Sequence, residues 1–432
     1  MLYRPPPLYR PSRRGVLRAG LAAGAAALAP RPARASVSPS DRKFVFVFAC
    51  GGWDPTRVLA DGFDYDIVDM EADAQRAESG GFSWVDHASR PSVTTFFERY
   101  ASQTAFLQGL LVPSIAHEAC FVLSFTGDAS DTGTDWPSIL GADRITRYVA
   151  PSLVLGGPTF PGINLPAVVQ TGSNGQLSDL MHGTYTDWVS GVAGAPLSSG
   201  SRDLIDTFVR TRGEKAAAAV SSDAMKSMFQ AFTLSCGQAE GLRARADSLT
   251  FDQIAALDDA FTIATTALSA GISRVVSICS PVNGERQWDS HVTNDDLQTH
   301  LFEDLFAGLL TLFDQLESLP GETTETLLEE TTVLVFSEMG RTPWLNGQGG
   351  KDHWPFTSAM LVGSGIRGGV SIGGWDEAWY GQSVDFGTGD VTEDGEPVSC
   401  AALGATLLAL GEHQNSHPYV DLLVLQKWRY FR

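Results

Sequence analysis

Glu338, Arg341, Asp352 and His353 fall within sixteen residues of one another, inside the stretch VLVFSEMGRTPWLNGQGGKDHWP at 333–355. A carboxylate and an imidazole together suit a divalent metal ion. An arginine suits a planar or tetrahedral oxyanion such as phosphate, sulfate or carboxylate. More residues of the same types lie elsewhere. Asp54 follows FVFVFAC-GG-W, and His117 with Ser114 lies in VPSIAHEAC. Asp289 and His291 form a WDSH tetrapeptide, where two positions of separation in an extended segment project both side chains to one side.

Each of these groups follows a segment that reads as a strand. Residues 44–50 and 331–336 are apolar without alternation, the pattern of strands covered on both faces of a parallel sheet. Residues 104–111, 273–280 and 357–363 read as further strands. The spacing predicts helices over 92–101, through most of 223–270, over 297–319 and over 398–410. Open α/β sheets place their ligand sites at the strand C-termini, so strand ends bearing Asp54, Asp289 and Glu338 point to one shared site. Asp54 before Pro55 reads equally well as the cap of a short helix. A strand, a turn and a helix start around Ser114 and His117 make a natural anion pocket, since free N–H groups point outward there. The run GSGIRG at 363–368 spells a dinucleotide fingerprint, but a strand or turn follows it instead of a helix, so it is rejected. His87, His182, His300, His413 and His417 read as surface or packing residues.

The N-terminus reads as an export signal. SRRGVL at 12–17 is close to a twin-arginine motif, residues 19–29 are a short apolar stretch, and Ala33-Arg34-Ala35 is a small-x-small cleavage site. Residues 1–35 are therefore expected to be a signal peptide recognised by the twin-arginine machinery. Residues 36–432 are expected to form one α/β domain, with a loop-rich insertion at about 128–222 acting as a lid or rim. The chain carries 30 Lys and Arg against 50 Asp and Glu, net −20; seven of those arginines and none of the acids lie in the signal segment, leaving 23 against 50, net −27. Such a surface repels nucleic acid and anionic lipid, which excludes both as partners. No stretch is long and apolar enough to span a bilayer. The five cysteines include no CxxC pair, which argues against a thiolate zinc site.

Taken together, the signal, FVFVFACGGWD, WDSH, FSEMGRTPWLNGQGGKDHWP and LVGSGIRGGVSIG resemble the domain-of-unknown-function family 1501 over nearly the whole mature chain, most specifically in SEMGRTP…GKDHWP. That family is grouped with the alkaline phosphatase and sulfatase superfamily. The resemblance implies a large, mostly parallel sheet between helical layers and a metal site at the strand C-termini. It implies Asp54, Asp289, His291, Glu338, Asp352 and His353 as metal residues, with Met339 where the superfamily has a second histidine. It places His117 where sulfatases carry their nucleophile, as a covalent nucleophile, a general base or a metal ligand, with Ser114 as the alternative and Arg341 holding the oxyanion. The expected cofactor is a divalent ion, whether zinc, calcium, manganese or magnesium. The implied activity is hydrolysis of phosphate or sulfate esters, with an anionic ester or glycan as substrate, in the periplasm or outside the cell. The competing reading is a non-catalytic envelope or extracellular binding protein that keeps the fold.

Overall fold

The computed structural model describes residues 37–79, 81–130, 133–171, 176–186, 193–194, 197–246, 254–282 and 287–412. The signal features at 1–35, and His413 and His417, lie outside the described residues. The described residues, from Val37 to Glu412, form one compact unit.

Its centre is an eight-stranded sheet. In chain order the strands are β1 (Lys43–Ala49), β2 (Thr104–Leu111), β3 (Ser152–Val154), β4 (Val168–Gln170), β5 (Val275–Ser280), β6 (Thr331–Ser337), β7 (Phe356–Gly363) and β8 (Val370–Ile372). Across the sheet they lie in the order β8-β2-β7-β6-β1-β5-β3-β4. Strand β1 runs parallel to β6 and β5, and β5, β3 and β4 continue in parallel. Only β7 is reversed, pairing antiparallel with both β6 and β2, and β8 is parallel to β2. The mostly parallel α/β sheet expected from the sequence is therefore present.

Strand β1 shows why the sequence folds this way. Val45, Val47 and Ala49 point into one core with helices α1 (Pro91–Tyr100), α6 (Leu257–Ser269) and α7 (Asn294–Ser318). Phe44, Phe46 and Phe48 point into the other, with α2 (His117–Thr126), α3 (Trp136–Ala142) and α8 (Cys400–Leu410). Both faces are thus apolar, which accounts for the missing alternation. The helices α4 (Ser199–Ala219) and α5 (Asp223–Arg243) pack on each other by an Arg210–Glu240 contact at 2.8 Å and an Arg243–Asp206 pair. The expected long helical region over 223–270 is two helices, α5 and α6. Residues 128–222 contribute β3 and β4 to the main sheet, besides α3 and α4. After GSGIRG comes β8, so no helix opens on those glycines. No helix among the described residues is long and apolar enough to cross a membrane.

Candidate metal centre

Strands β1, β5 and β6 are neighbours and all end at the same edge. After β1 the chain turns through Gly51 and Gly52. At Gly51 the backbone takes φ +123°, and a Cβ there would come within 2.7 Å of the Trp288 nitrogen, so the close approach of the two loops requires glycine. That approach is fixed by the Trp288 N–H donating to Cys50 O at 3.0 Å. The start of α7 holds the same loop from behind. Gln298 Nε2 donates to Trp288 O at 2.9 Å and to Ser290 Oγ at 3.0 Å. Asp289 and His291 are thereby set facing the end of β6.

On the other side stands a two-residue ribbon, Gly340–Arg341 paired with His353–Trp354, with Arg341 opposite His353. The first residue of α2, His117, closes the site. The ligand atoms of His117, Asp289 and His353 all lie within 4.8 Å of one another. His291 joins them: its Nε2 is 3.0 Å from His353 Nε2 and 3.2 Å from Asp289 Oδ1. His353 Nε2 is 3.5 Å from Asp289 Oδ1, and His117 Nε2 is 3.8 Å from Asp289 Oδ2.

The other nitrogen of each ring is already engaged. His117 Nδ1 lies 2.9 Å from Glu338 Oε1, His291 Nδ1 lies 3.0 Å from Asp352 Oδ1, and His353 Nδ1 donates to the Ile115 carbonyl at 2.7 Å. A carbonyl and two carboxylates accept, so each Nδ1 carries the proton and each Nε2 offers a lone pair to the cluster. Two such lone pairs facing each other at 3.0 Å repel unless a cation or a shared proton lies between them. Ligands at 2.0–2.1 Å from a tetrahedral zinc ion stand about 3.3–3.4 Å apart. The separations of 3.0, 3.2, 3.5 and 3.8 Å bracket that value. Three imidazoles and one carboxylate, each imidazole oriented by an outer acceptor, fit an ion of the zinc, iron, nickel or copper type, and are nitrogen-rich for calcium or magnesium.

The charges are tuned accordingly. Glu338's hydrogen bond raises the His117 pKa against the opposing effect of burial. Burial lowers that of His353, with Arg341 and the neighbouring histidines adding to the effect. Burial pushes the Asp289 carboxyl up, but Arg341 outweighs it, and the net shift is downward. Hydrogen bonds from His291 and Asn346 lower Asp352.

The site residues expected from the sequence separate into distinct positions. Asp289, His291 and His353 converge with His117. Glu338 does not join them as a ligand atom in the cluster. It is fully buried and accepts from Gly51 N–H at 2.8 Å, Ser337 Oγ at 3.0 Å and His117, so its place is behind His117. Asp352 likewise stands behind His291. Asp54 is held elsewhere, because Lys351 Nζ sits 2.9 Å from its Oδ2, Asn294 Nδ2 donates to the same oxygen at 2.9 Å, and its Oδ1 accepts the Thr56 hydroxyl at 2.6 Å and, as a helix cap, the Thr56 N–H at 3.0 Å. That Thr56 contact matches the capping alternative read from the sequence. Arg341 is fully buried, and its donors go to Gly51 O, Gly52 O, Lys351 O and Asp289 Oδ1, the last at 2.6 Å. Four of its five N–H groups are taken inside the protein and no part of it reaches solvent, so it stands behind Asp289 and not in the open as the expected oxyanion clamp would. Ser114 Oγ accepts the Ala116 N–H at 3.2 Å at the entry to α2. Sequence reasoning missed Lys351 and the Ile115 carbonyl. A lysine inside GGKDHW between two metal-type residues was a signal for the first, and a backbone carbonyl leaves none.

Residues 203–410 match the family model DUF1501, described as a protein of unknown function. The span includes Asp289, His291, Glu338, Arg341, Asp352 and His353, the residues of the most specific motifs, and leaves Asp54, Ser114 and His117 outside it. No curated protein matches the chain. Solved structures with a similar course include the PsFucS1 sulfatase from Pseudoalteromonas sp., at 11% identity and TM-score 0.35, covering 95% of this chain and 74% of that one. Another is Ps i-CgsB in complex with k-i-k-neocarrahexaose, at 11% identity and TM-score 0.34, covering 87% and 73%. A third was solved with its substrate, D-glucosamine-2-N,6-O-disulfate, at 10% identity and TM-score 0.34, covering 88% and 78%. The sheet order and the two helical layers themselves define the fold.

Proposed function

We propose that this chain is a hydrolase of phosphate or sulfate esters that works with one divalent transition-metal ion held by His117, Asp289, His291 and His353. The observation that supports this is the approach of three imidazole Nε2 atoms to the Asp289 carboxylate while every Nδ1 is tied to an outer acceptor. When bound, such an ion supplies Lewis acidity toward an ester oxygen and an activated water.

The protein's own residues do the rest. Glu338 and Asp352 hold the tautomers and ring directions of His117 and His291. Arg341 fixes one oxygen of Asp289 and keeps it ionised. The N-terminal end of the ten-residue helix α2 lies at the site, so its dipole and first-turn amides favour an anionic group there. His117 has one nitrogen on Glu338 and the other in the cluster, which favours the ligand role over the nucleophile role, with water as the attacking group. Ser114 is given no step. The arginine pair at 13–14 and the small-residue site at 33–35 support delivery to the periplasm or beyond through the twin-arginine machinery, as a folded chain.

The test is elemental analysis of chain purified without chelator, alongside turnover of aryl phosphate and aryl sulfate esters, for the wild type and for His291→Ala and His353→Ala. Near-stoichiometric zinc, iron, nickel or copper that is lost with turnover in both variants is the expected result. A wild type that neither carries nor takes up such an ion overturns the reading.

A further inference from the structure

The ribbon that carries His353 also carries Trp354, a half-buried ring that two solvent-exposed aromatic rings from other segments pack against. Trp354 follows His353 on the same short strand, so its ring stands on the opposite face of the ribbon. Tyr380 lies face to face on Trp354, with ring centres 5.3 Å apart and planes 8° from parallel. Trp344 meets the edge of Trp354 at 5.5 Å, and Phe356 flanks Tyr380 at 5.5 Å. Trp344 is 40% exposed and Tyr380 45%. Large rings this open, side by side, are costly to leave against water and mark a binding surface.

The rings are also held rigidly. Trp354 Nε1 donates to Trp379 O at 2.9 Å, and the Tyr380 N–H donates to Asp376 Oδ1 at 2.8 Å. The Asp376 N–H returns a bond to Tyr380 O at 2.9 Å, and the Leu345 N–H donates to Asp69 Oδ2 at 2.7 Å beside Trp344. Rigid aromatic side chains give contact area at little entropic cost. Trp344 shares its loop with Asn346, which donates to the His291 carbonyl at 3.0 Å, so this surface and the metal cluster are joined by one short piece of backbone.

Resting on the ester-hydrolase reading, we propose that Trp344, Trp354 and Tyr380 form a sugar-binding subsite, on which rings of a glycan stack while the ester it bears reaches the metal cluster across the ribbon edge. Pyranose rings present flat C–H faces to aromatic faces and polar rims to the carboxylates of Asp69 and Asp376 around them. The charge of the chain favours this occupant over others. With acids in excess along the chain and Asp69 and Asp376 flanking the rings, the patch does not attract a polyanion along its length, so affinity comes from ring faces and hydroxyl contacts.

The experiment is isothermal titration and tryptophan fluorescence with hexasaccharides of β-1,4-glucose, β-1,4-N-acetylglucosamine and β-1,4-mannose. The proteins are the full chain and its Trp344→Ala, Tyr380→Ala and His353→Ala variants. At least one hexasaccharide is expected to bind saturably, about tenfold more weakly in each aromatic variant, and unchanged in His353→Ala. Turnover of a small aryl ester is expected to be the same in Trp344→Ala as in the wild type. Saturable binding without any ester turnover would leave the subsite standing and remove the hydrolase reading. No binding of any hexasaccharide, binding indifferent to Trp344 and Tyr380, or binding of zwitterionic phospholipid vesicles instead, would overturn the subsite.

Discussion

Replacing Glu338 by Gln separates an outer role from a ligand role. The carboxylate is fully buried and accepts from Gly51 N–H, Ser337 Oγ and His117 Nδ1 at 2.8, 3.0 and 2.9 Å. The amide keeps the shape and one acceptor oxygen for His117 but removes the charge that makes its Nε2 more basic. Outer partners of metal-bound histidines are worth about 10–100-fold in metal affinity, or about 1.4–2.7 kcal/mol. Burial places Glu338 at the upper end of that range. Asp352 holds His291 in the same way, but its side chain is 58% exposed and solvent screens it, so Asp352→Asn should cost only a few-fold. Competition with a chromophoric chelator measures both against His353→Ala. The expected order of affinity loss is His353→Ala, then Glu338→Gln, then Asp352→Asn. If Glu338→Gln removes the ion as completely as His353→Ala, Glu338 is itself a ligand and the outer role is refuted. If it changes nothing, the bond to His117 is idle.

Two further outcomes follow from buried charge. Arg341→Ala strips partners from the carbonyls of Gly51, Gly52 and Lys351 and from Asp289, and should lower stability by about 3–5 kcal/mol in urea unfolding, with Arg341→Lys recovering only part because an ammonium cannot span those directions. Far from the site, burial pushes the Glu322 carboxyl up, but hydrogen bonds from Lys43 and Arg147 outweigh it and hold it at about 2. A carboxylate depressed on folding stabilises above its unfolded pKa, and that contribution is lost as the pH falls through the folded one. With about a third of the side chain exposed, screening reduces the full linkage value to about 1–2 kcal/mol. The stability gap between wild type and Glu322→Gln should thus be largest above about pH 5 and close toward pH 2, and a gap independent of pH would refute it.

The parts of the fold that can be read from sequence are those where packing is written into residue type. Alternating Phe and Val along β1 serve two cores, and β6 repeats the pattern before Glu338. Glycines and carboxylates after these strands point to a common edge, and four strand-end or loop residues do meet there. Strands β3 and β4 have three residues each, too few for any period to show. Residue type alone also cannot tell a ligand from its support. His117, His291 and His353 have the same chemistry in one dimension, and so do Asp289, Glu338 and Asp352. What divides the acids is which ring nitrogen they meet, Nε2 for Asp289 and Nδ1 for Glu338 and Asp352, and the rings are turned that way by acceptors up to 238 residues away, as for Ile115 and His353.

The fate of the acids at the sheet edge follows from where the protein keeps its own cations. Asp54 closes on Lys351, whose pKa burial lowers to about 8 even with Asp54 opposing, and on Arg57 at 3.7 Å. Asn294 and Thr56 fill its remaining directions. An ion there would have to displace a buried ammonium whose other bond, to Thr56 Oγ1 at 3.0 Å, belongs to the same network. Asp289 also has a cation in contact, but Arg341 leaves 35% of the side chain exposed, and three imidazoles lie within 3.2–3.8 Å of its oxygens. A buried guanidinium on one carboxylate and a buried ammonium on the other thus take up the charge that a second metal ion would bring. They leave Asp289 as the acid that faces the histidines, which is the arrangement the proposed one-ion reading requires.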